Sequence, residues 1–180
     1  SGDWQLWSTR TPGLGYFLFN TSTGQSHRIT LPAGTSYQGN WQFGLSANGS
    51  TARVYYWAAL SNSSPLAYAV YRYDSGTGQS VRLSPAGNSW RDVYVQTDGQ
   101  RVAWQRNASS ASIDPPYSLL VADTGNDLQA TTLSTLMTQF RLADGVLAWI
   151  EANGNLYTLK VNAAGQTSVL TQRTSSLPLV

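Results

Sequence analysis

Asp98-Gly99-Gln100-Arg101-Val102-Ala103-Trp104 is a polar turn feeding an apolar strand, and versions of it recur along the chain. Asp-Gly is a strong hairpin signal, because glycine takes the positive φ of a tight turn while the aspartate bonds to its own backbone. Before it, Trp90-Arg91-Asp92-Val93-Tyr94-Val95-Gln96 reads as a first strand, and after it residues 101–105 read as a second. A polar loop over 106–116 leads to a third strand at 117–122, a turn at 123–127 and a fourth strand at 128–133. The result is one antiparallel meander.

The meander repeats. Trp7, Trp57, Trp104 and Trp149 each stand at or near the end of a short apolar strand, at separations of 50, 47 and 45 residues. Periods of this size mark a repeat architecture. A second unit runs through strands at 41–46, 53–58, 68–73 and 80–83, with turns at Ala47-Asn48-Gly49-Ser50 and Asp74-Ser75-Gly76-Thr77-Gly78. The last runs through 139–143, 146–151, 156–161 and 167–171, turning at Asp144-Gly145 and Asn153-Gly154. The first unit has strands at 4–8, 16–20 and 26–31 but nothing before them to act as a first strand. Leu177-Pro178-Leu179-Val180, joined to the chain's beginning, matches the run from Phe140 to Trp149, so the C-terminal segment is expected to supply the missing strand. No 3.6-residue period is sustained, and no helix is expected.

The fold class expected is therefore all-β: a β-propeller of about four four-stranded antiparallel blades, closed by its own last strand so that no edge is exposed. The blades fall at about 1–34 plus 175–180, 38–85, 88–134 and 137–172, within one domain over 1–180. The alternative is four blades of a larger ring. Asp98-Gly99-Gln100-Arg101-Val102-Ala103-Trp104 with Tyr117-Ser118-Leu119-Leu120-Val121-Ala122-Asp123, and Leu156-Tyr157-Thr158-Leu159-Lys160-Val161, resemble the TolB-type, WD40-like propeller repeat. The usual Ser-Pro before the Asp-Gly turn is absent, and propellers of that type commonly carry six or more blades. The resemblance implies a bacterial envelope protein, periplasmic or extracellular.

Composition supports the class. Aromatics make up 12% of the 180 residues and charged residues only 11%, well under the roughly 25% of an average soluble protein. Ser, Thr, Gly, Asn and Gln supply the polar surface and favour strands and turns. The net charge is +2, and the Arg residues are scattered instead of clustered, so no nucleic-acid footprint is expected. With no Cys, disulfides and thiolate chemistry are excluded. No apolar run approaches the roughly 20 residues of a membrane span, so no membrane insertion is expected, and the absence of a signal peptide makes any exported form a mature or excised one.

The four repeating Trp residues are expected to fill the wedge between neighbouring sheets. The starts of the first strands would instead ring the channel mouth, which makes Trp41, Gln42, Trp90, Arg91, Asp92 and Gln139 the candidate ligand-binding residues. Indole, guanidinium and amide groups together suit a protein, peptide or glycan ligand. Asp123-Thr124-Gly125-Asn126-Asp127 has the oxygen content of a calcium loop, but its counterparts keep only an Asn or Asp followed by Gly, which is turn chemistry, so no metal is expected. His27 is the only His and Glu151 the only Glu, no Gly-x-Ser-x-Gly elbow occurs, and no glycine loop precedes a helix. Catalytic residues and cofactors are therefore expected to be none. The function expected is a non-enzymatic binding or scaffold module, possible as one domain of a longer chain; the alternatives are a propeller that gates substrate for an attached hydrolase or peptidase, and a lectin.

Overall fold

A computed structural model of the protein describes residues 3–8, 15–36, 43–64, 66–87, 89–108, 115–124 and 129–175. These residues form fifteen strands and no helix. In the first unit β1 (Trp4–Ser8), β2 (Tyr16–Asn20) and β3 (Ser26–Ile29) make a three-stranded antiparallel sheet. In the second, β4 (Thr35–Ser36) and β5 (Gly44–Asn48) share one edge of β6 (Thr51–Leu60), followed by β7 (Tyr68–Asp74) and β8 (Gln79–Arg82). The third contains β9 (Trp90–Thr97), β10 (Arg101–Ala108) and β11 (Tyr117–Asp123). After β12 (Thr131–Ala143) the fourth continues with β13 (Val146–Asn153), β14 (Leu156–Ala163) and β15 (Gln166–Thr174).

Two expectations need correcting. The separate strands expected at 128–133 and 139–143 are one: β12 pairs with β11 through its first half and with β13 through its second, and Met137 faces Tyr117 on one side and Glu151 on the other. From 129 to 143 the chain carries no Gly, Pro, Asn or Asp, so nothing breaks the strand. The second correction concerns Trp57. Counted from the hairpin pairs, Arg53 opposite Asp74 and Arg101 opposite Asp123, the counterpart of Trp104 is Tyr56. Because side chains alternate across a strand, that single residue puts Trp57 on the opposite face. There it packs, partly buried, against the core between the second and third units, so its wedge-filling role is met.

Three apolar cores join successive units. In the first, Trp4 and Leu18 meet Val54 and Tyr56 of the second unit; in the next, Tyr55 and Val70 meet Val102 and Trp104; in the last, Ala103 and Leu119 meet Leu147 and Trp149. The strand patterns follow from this sandwiching. β6 is buried along nearly its whole length because both its faces are covered, whereas β13 alternates and β15 is exposed throughout. Tyr56, Trp104 and Trp149 all face the preceding unit. Trp7 points away from Trp4 and Leu6, which pack on the second unit, and is 59% exposed. Its expected wedge-filling role is therefore not met among the described residues.

Polar clamps repeat at the junctions. The Trp4 indole donates to the Gly49 carbonyl (3.2 Å), Arg53 Nη1 to the Thr124 carbonyl (3.2 Å), and Arg101 Nη1 to Asn162 Oδ1 (2.9 Å). The two Arg follow equivalent hairpins and reach equivalent turns of the next unit. Turn side chains behave as their chemistry predicts. Asp98 Oδ1 accepts from the amides of Gln100 and Arg101 (3.0 and 2.7 Å), and Asn20 Oδ1 from those of Ser22 and Thr23 (both 3.0 Å).

Candidate functional site

β9 and the second half of β12 are the first strands of their units, and they flank a cleft of about 320 Å³ lined by Tyr94, Gln96, Gln105, Tyr117, Thr138, Gln139 and Phe140. Both strands are irregular there. The β9–β10 register slips between Ala103 and Gln105, so that β9 carries an extra residue opposite Trp104, and the β12–β13 register slips between Met137 and Gln139. Such bulges bend a strand and re-aim a side chain. At the first, Tyr94 adopts φ +57°, a left-handed conformation that a bulky residue rarely takes, and its side chain emerges 49% exposed at the cleft.

Among the described residues, no charged side chain lines this cleft. Gln96 spans it: its Nε2 donates to the Phe140 carbonyl (3.4 Å) and its Oε1 accepts from the Leu142 amide (2.9 Å). Thr138 donates to the Ile150 carbonyl (3.3 Å). Gln105 continues the buried run Val102-Ala103-Trp104 and faces the fourth unit; it is only 8% exposed, and its side-chain amide has no partner among the described residues. The Gln139 amide and the Tyr94 hydroxyl are likewise unpaired among the described residues.

Of the residues expected at the channel mouth, Gln139 lines the cleft and Trp90, Arg91 and Asp92 stand at the start of β9, outside its lining. Trp41 and Gln42 lie outside the described residues. Trp90 and Asp92 are brought together through Arg106, whose guanidinium grips both Asp92 oxygens (2.7 Å each) and sits 5.1 Å from the Trp90 ring centre. Arg91 turns the other way, with Nε donating to the Leu66 carbonyl (3.3 Å). Sequence reasoning missed Tyr94, Gln96 and Gln105. The available signal was a Gln ending an apolar second strand, since its neighbours show that this stretch is buried on both faces.

A second depression of about 410 Å³ lies where three hairpins converge, lined by Ser46 and Ala47, by Thr97 to Gly99, and by Arg141 to Asp144. The approach is close because of Gly44, where an added Cβ would stand 2.8 Å from Thr97 Cγ2.

Besides Asp92, three carboxylates among the described residues are held by cationic partners. Asp74 is paired with Arg53 (3.1 Å) and Asp98 with Arg101 (3.4 Å). Glu151 accepts from the Trp149 indole (3.0 Å) and pairs with Lys160 (2.8 Å). Burial alone would raise the Glu151 carboxyl, but hydrogen bonds from Lys160, Trp149 and Ser134 outweigh it and hold the group below the ordinary glutamate range. A depressed carboxyl stabilises the fold above its unfolded value and loses that contribution as pH falls through the folded one. Glu151→Gln is accordingly expected to cost about 1 kcal/mol near pH 7 and less near pH 3. Urea titrations at the two pH values check this, and an equal loss at both would contradict it.

No protein-family model matches the chain, and no curated protein does. Among solved structures, the chain is similar to TolB from Acinetobacter baumannii, with a TM-score of 0.55 and 17% identity over 98% of this chain. It spans 41% of that TolB chain. An uncharacterized Listeria monocytogenes protein, lmo1340, aligns over 97% of this chain and 63% of its own, at 13% identity and a TM-score of 0.44. The likeness to TolB shows a TolB-like, propeller-like all-β fold.

Proposed function

We propose that this propeller-like chain is a non-enzymatic binding module whose ligand enters the cleft between β9 and β12. The observation that carries the reading is Tyr94. A non-glycine residue held in the left-handed region costs on the order of 1 kcal/mol or more, and such strain concentrates where function needs it. Here it buys no packing, since the ring is half exposed and its hydroxyl is unpaired among the described residues. It does place an aromatic surface beside two free amides. A place in the bacterial envelope remains part of the reading and rests on the TolB-type repeat.

The test is a fragment screen followed by NMR. Hits are expected to gather at Tyr94, Gln105 and Gln139, and Tyr94→Gly is expected to lose them while folding stability stays level or rises by up to about 1 kcal/mol. Hits scattered over the surface, or a variant that binds as before, would overturn the reading.

The number of blades is a second part of the proposal. The closing strand expected from Leu177-Pro178-Leu179-Val180 lies outside the described residues. Exposed Trp7 at one end of the array, and exposed Val146 with the whole of β15 at the other, favour the larger ring. On that reading further blades, from more chain or from a second copy, cover these faces. The 180-residue chain then self-associates in sedimentation, and Trp7→Ser weakens the association. A strictly monomeric chain argues for self-closure.

A further inference from the structure

We infer that the β9–β12 cleft recognises amide groups, and that its ligand is an uncharged, extended peptide segment. The inference rests on the reading of the chain as a binding module and adds the chemical class of the ligand. Gln105 carries it. The residue is more than nine-tenths buried, its side chain faces the cleft, and its carboxamide has no hydrogen-bond partner among the described residues. The carboxamide is not cut off from water, so it opens into the cleft with its donor and acceptor free of protein partners among the described residues. A ligand entering the cleft can bond to both in exchange for water.

A carboxamide presents a donor and an acceptor in one plane, and the backbone amides of a peptide match both. The protein already displays this pairing on the wall of the same cleft. Gln96, with its Nε2 on the Phe140 carbonyl and its Oε1 on the Leu142 amide, meets the backbone of β12 as the N–H and C=O of one residue in an added strand would. Gln105 and Gln139 offer the same chemistry without an occupant, and the exposed Tyr94 ring gives a side chain of the bound segment a surface to pack on. A charged ligand finds no counter-ion among the described lining residues, none of which is ionic at neutral pH. The volume of about 320 Å³ falls at the small end of ligand sites and suits a few residues of peptide.

The experiment is a titration of ¹⁵N-labelled protein with blocked, uncharged tetrapeptides, acetyl-Ala-Gln-Pro-Ala-amide and acetyl-Ala-Asn-Tyr-Ala-amide, with glucose and maltose run beside them. At least one peptide is expected to shift the Gln105 and Gln139 side-chain NH₂ signals saturably. Gln105→Leu should weaken that binding about tenfold while leaving thermal stability equal or higher. A merely structural glutamine would do the reverse, losing stability and sparing affinity. Stronger shifts with the sugars would overturn the peptide inference and leave the binding module standing as a lectin. Silence from all four probes while fragments still gather in the cleft overturns the inference alone, and silence from fragments as well overturns both.

Discussion

Trp104→Ala is expected to cost about 3–5 kcal/mol, a large share of the roughly 5–15 kcal/mol that holds a domain together. Trp104 is fully buried and packs in the core between the second and third units. Backbone pairing at that junction is slight, a single parallel pair between Tyr68 and Arg91, so side-chain packing carries the join. A cavity there weakens the connection between units as well as the sheet that holds the indole. Urea unfolding of the variant should show a lower midpoint together with a shallower slope, as the two sides begin to unfold separately. Trp104→Phe should cost much less. Its indole N–H has no partner among the described residues, so phenylalanine keeps most of the contact area and strands nothing polar. A loss below about 1 kcal/mol for the alanine variant would show that the junction does not depend on this core.

Asp92→Ala should be nearly as damaging, at about 3–5 kcal/mol, for an electrostatic reason. Asp92 is 1% exposed and meets the Arg106 guanidinium through two 2.7 Å bonds. Removing the carboxylate leaves a largely buried cation whose remaining partner among the described residues is the Trp90 ring. Removing both charges is a different matter, because neither ion must then be taken out of water. Asp92→Leu combined with Arg106→Met is expected to recover most of the loss, and a double-mutant cycle by chemical denaturation measures the coupling. A double variant as unstable as Asp92→Ala would mean that the carboxylate supports something other than Arg106.

These two residues also show how far the sequence could be read. The Asx-Gly turns, strand order and repeat were legible because turn chemistry is local: Asp98 bonds its own loop whatever surrounds it. Facing was harder, since it depends on register. Counting from indole to indole crosses hairpins of unequal length, two residues between Asn48 and Thr51 but four between Thr97 and Val102, and so misplaced Trp57 by one position. The candidate site was legible in part. Gln139 lines the cleft, but Asp92 is taken by an arginine fourteen residues away, a pairing visible only once β9 and β10 are laid side by side. Tyr94 could not be foreseen, because a bulge is a mismatch between two strands and leaves no mark on either one alone.

β12 bears on how such a chain could be inherited. One strand closes the third sheet and opens the fourth, so a gene copied or cut within it would leave one of the two a strand short. Breaks at the hairpins, Asp98-Gly99 and Asp144-Gly145, would leave every strand whole. The piece between them is the remainder of one sheet with the opening strand of the next, and a duplication of that piece arrives already interlocked with its neighbour. Selection would thus act on a staggered segment, out of step with the sheets seen by eye.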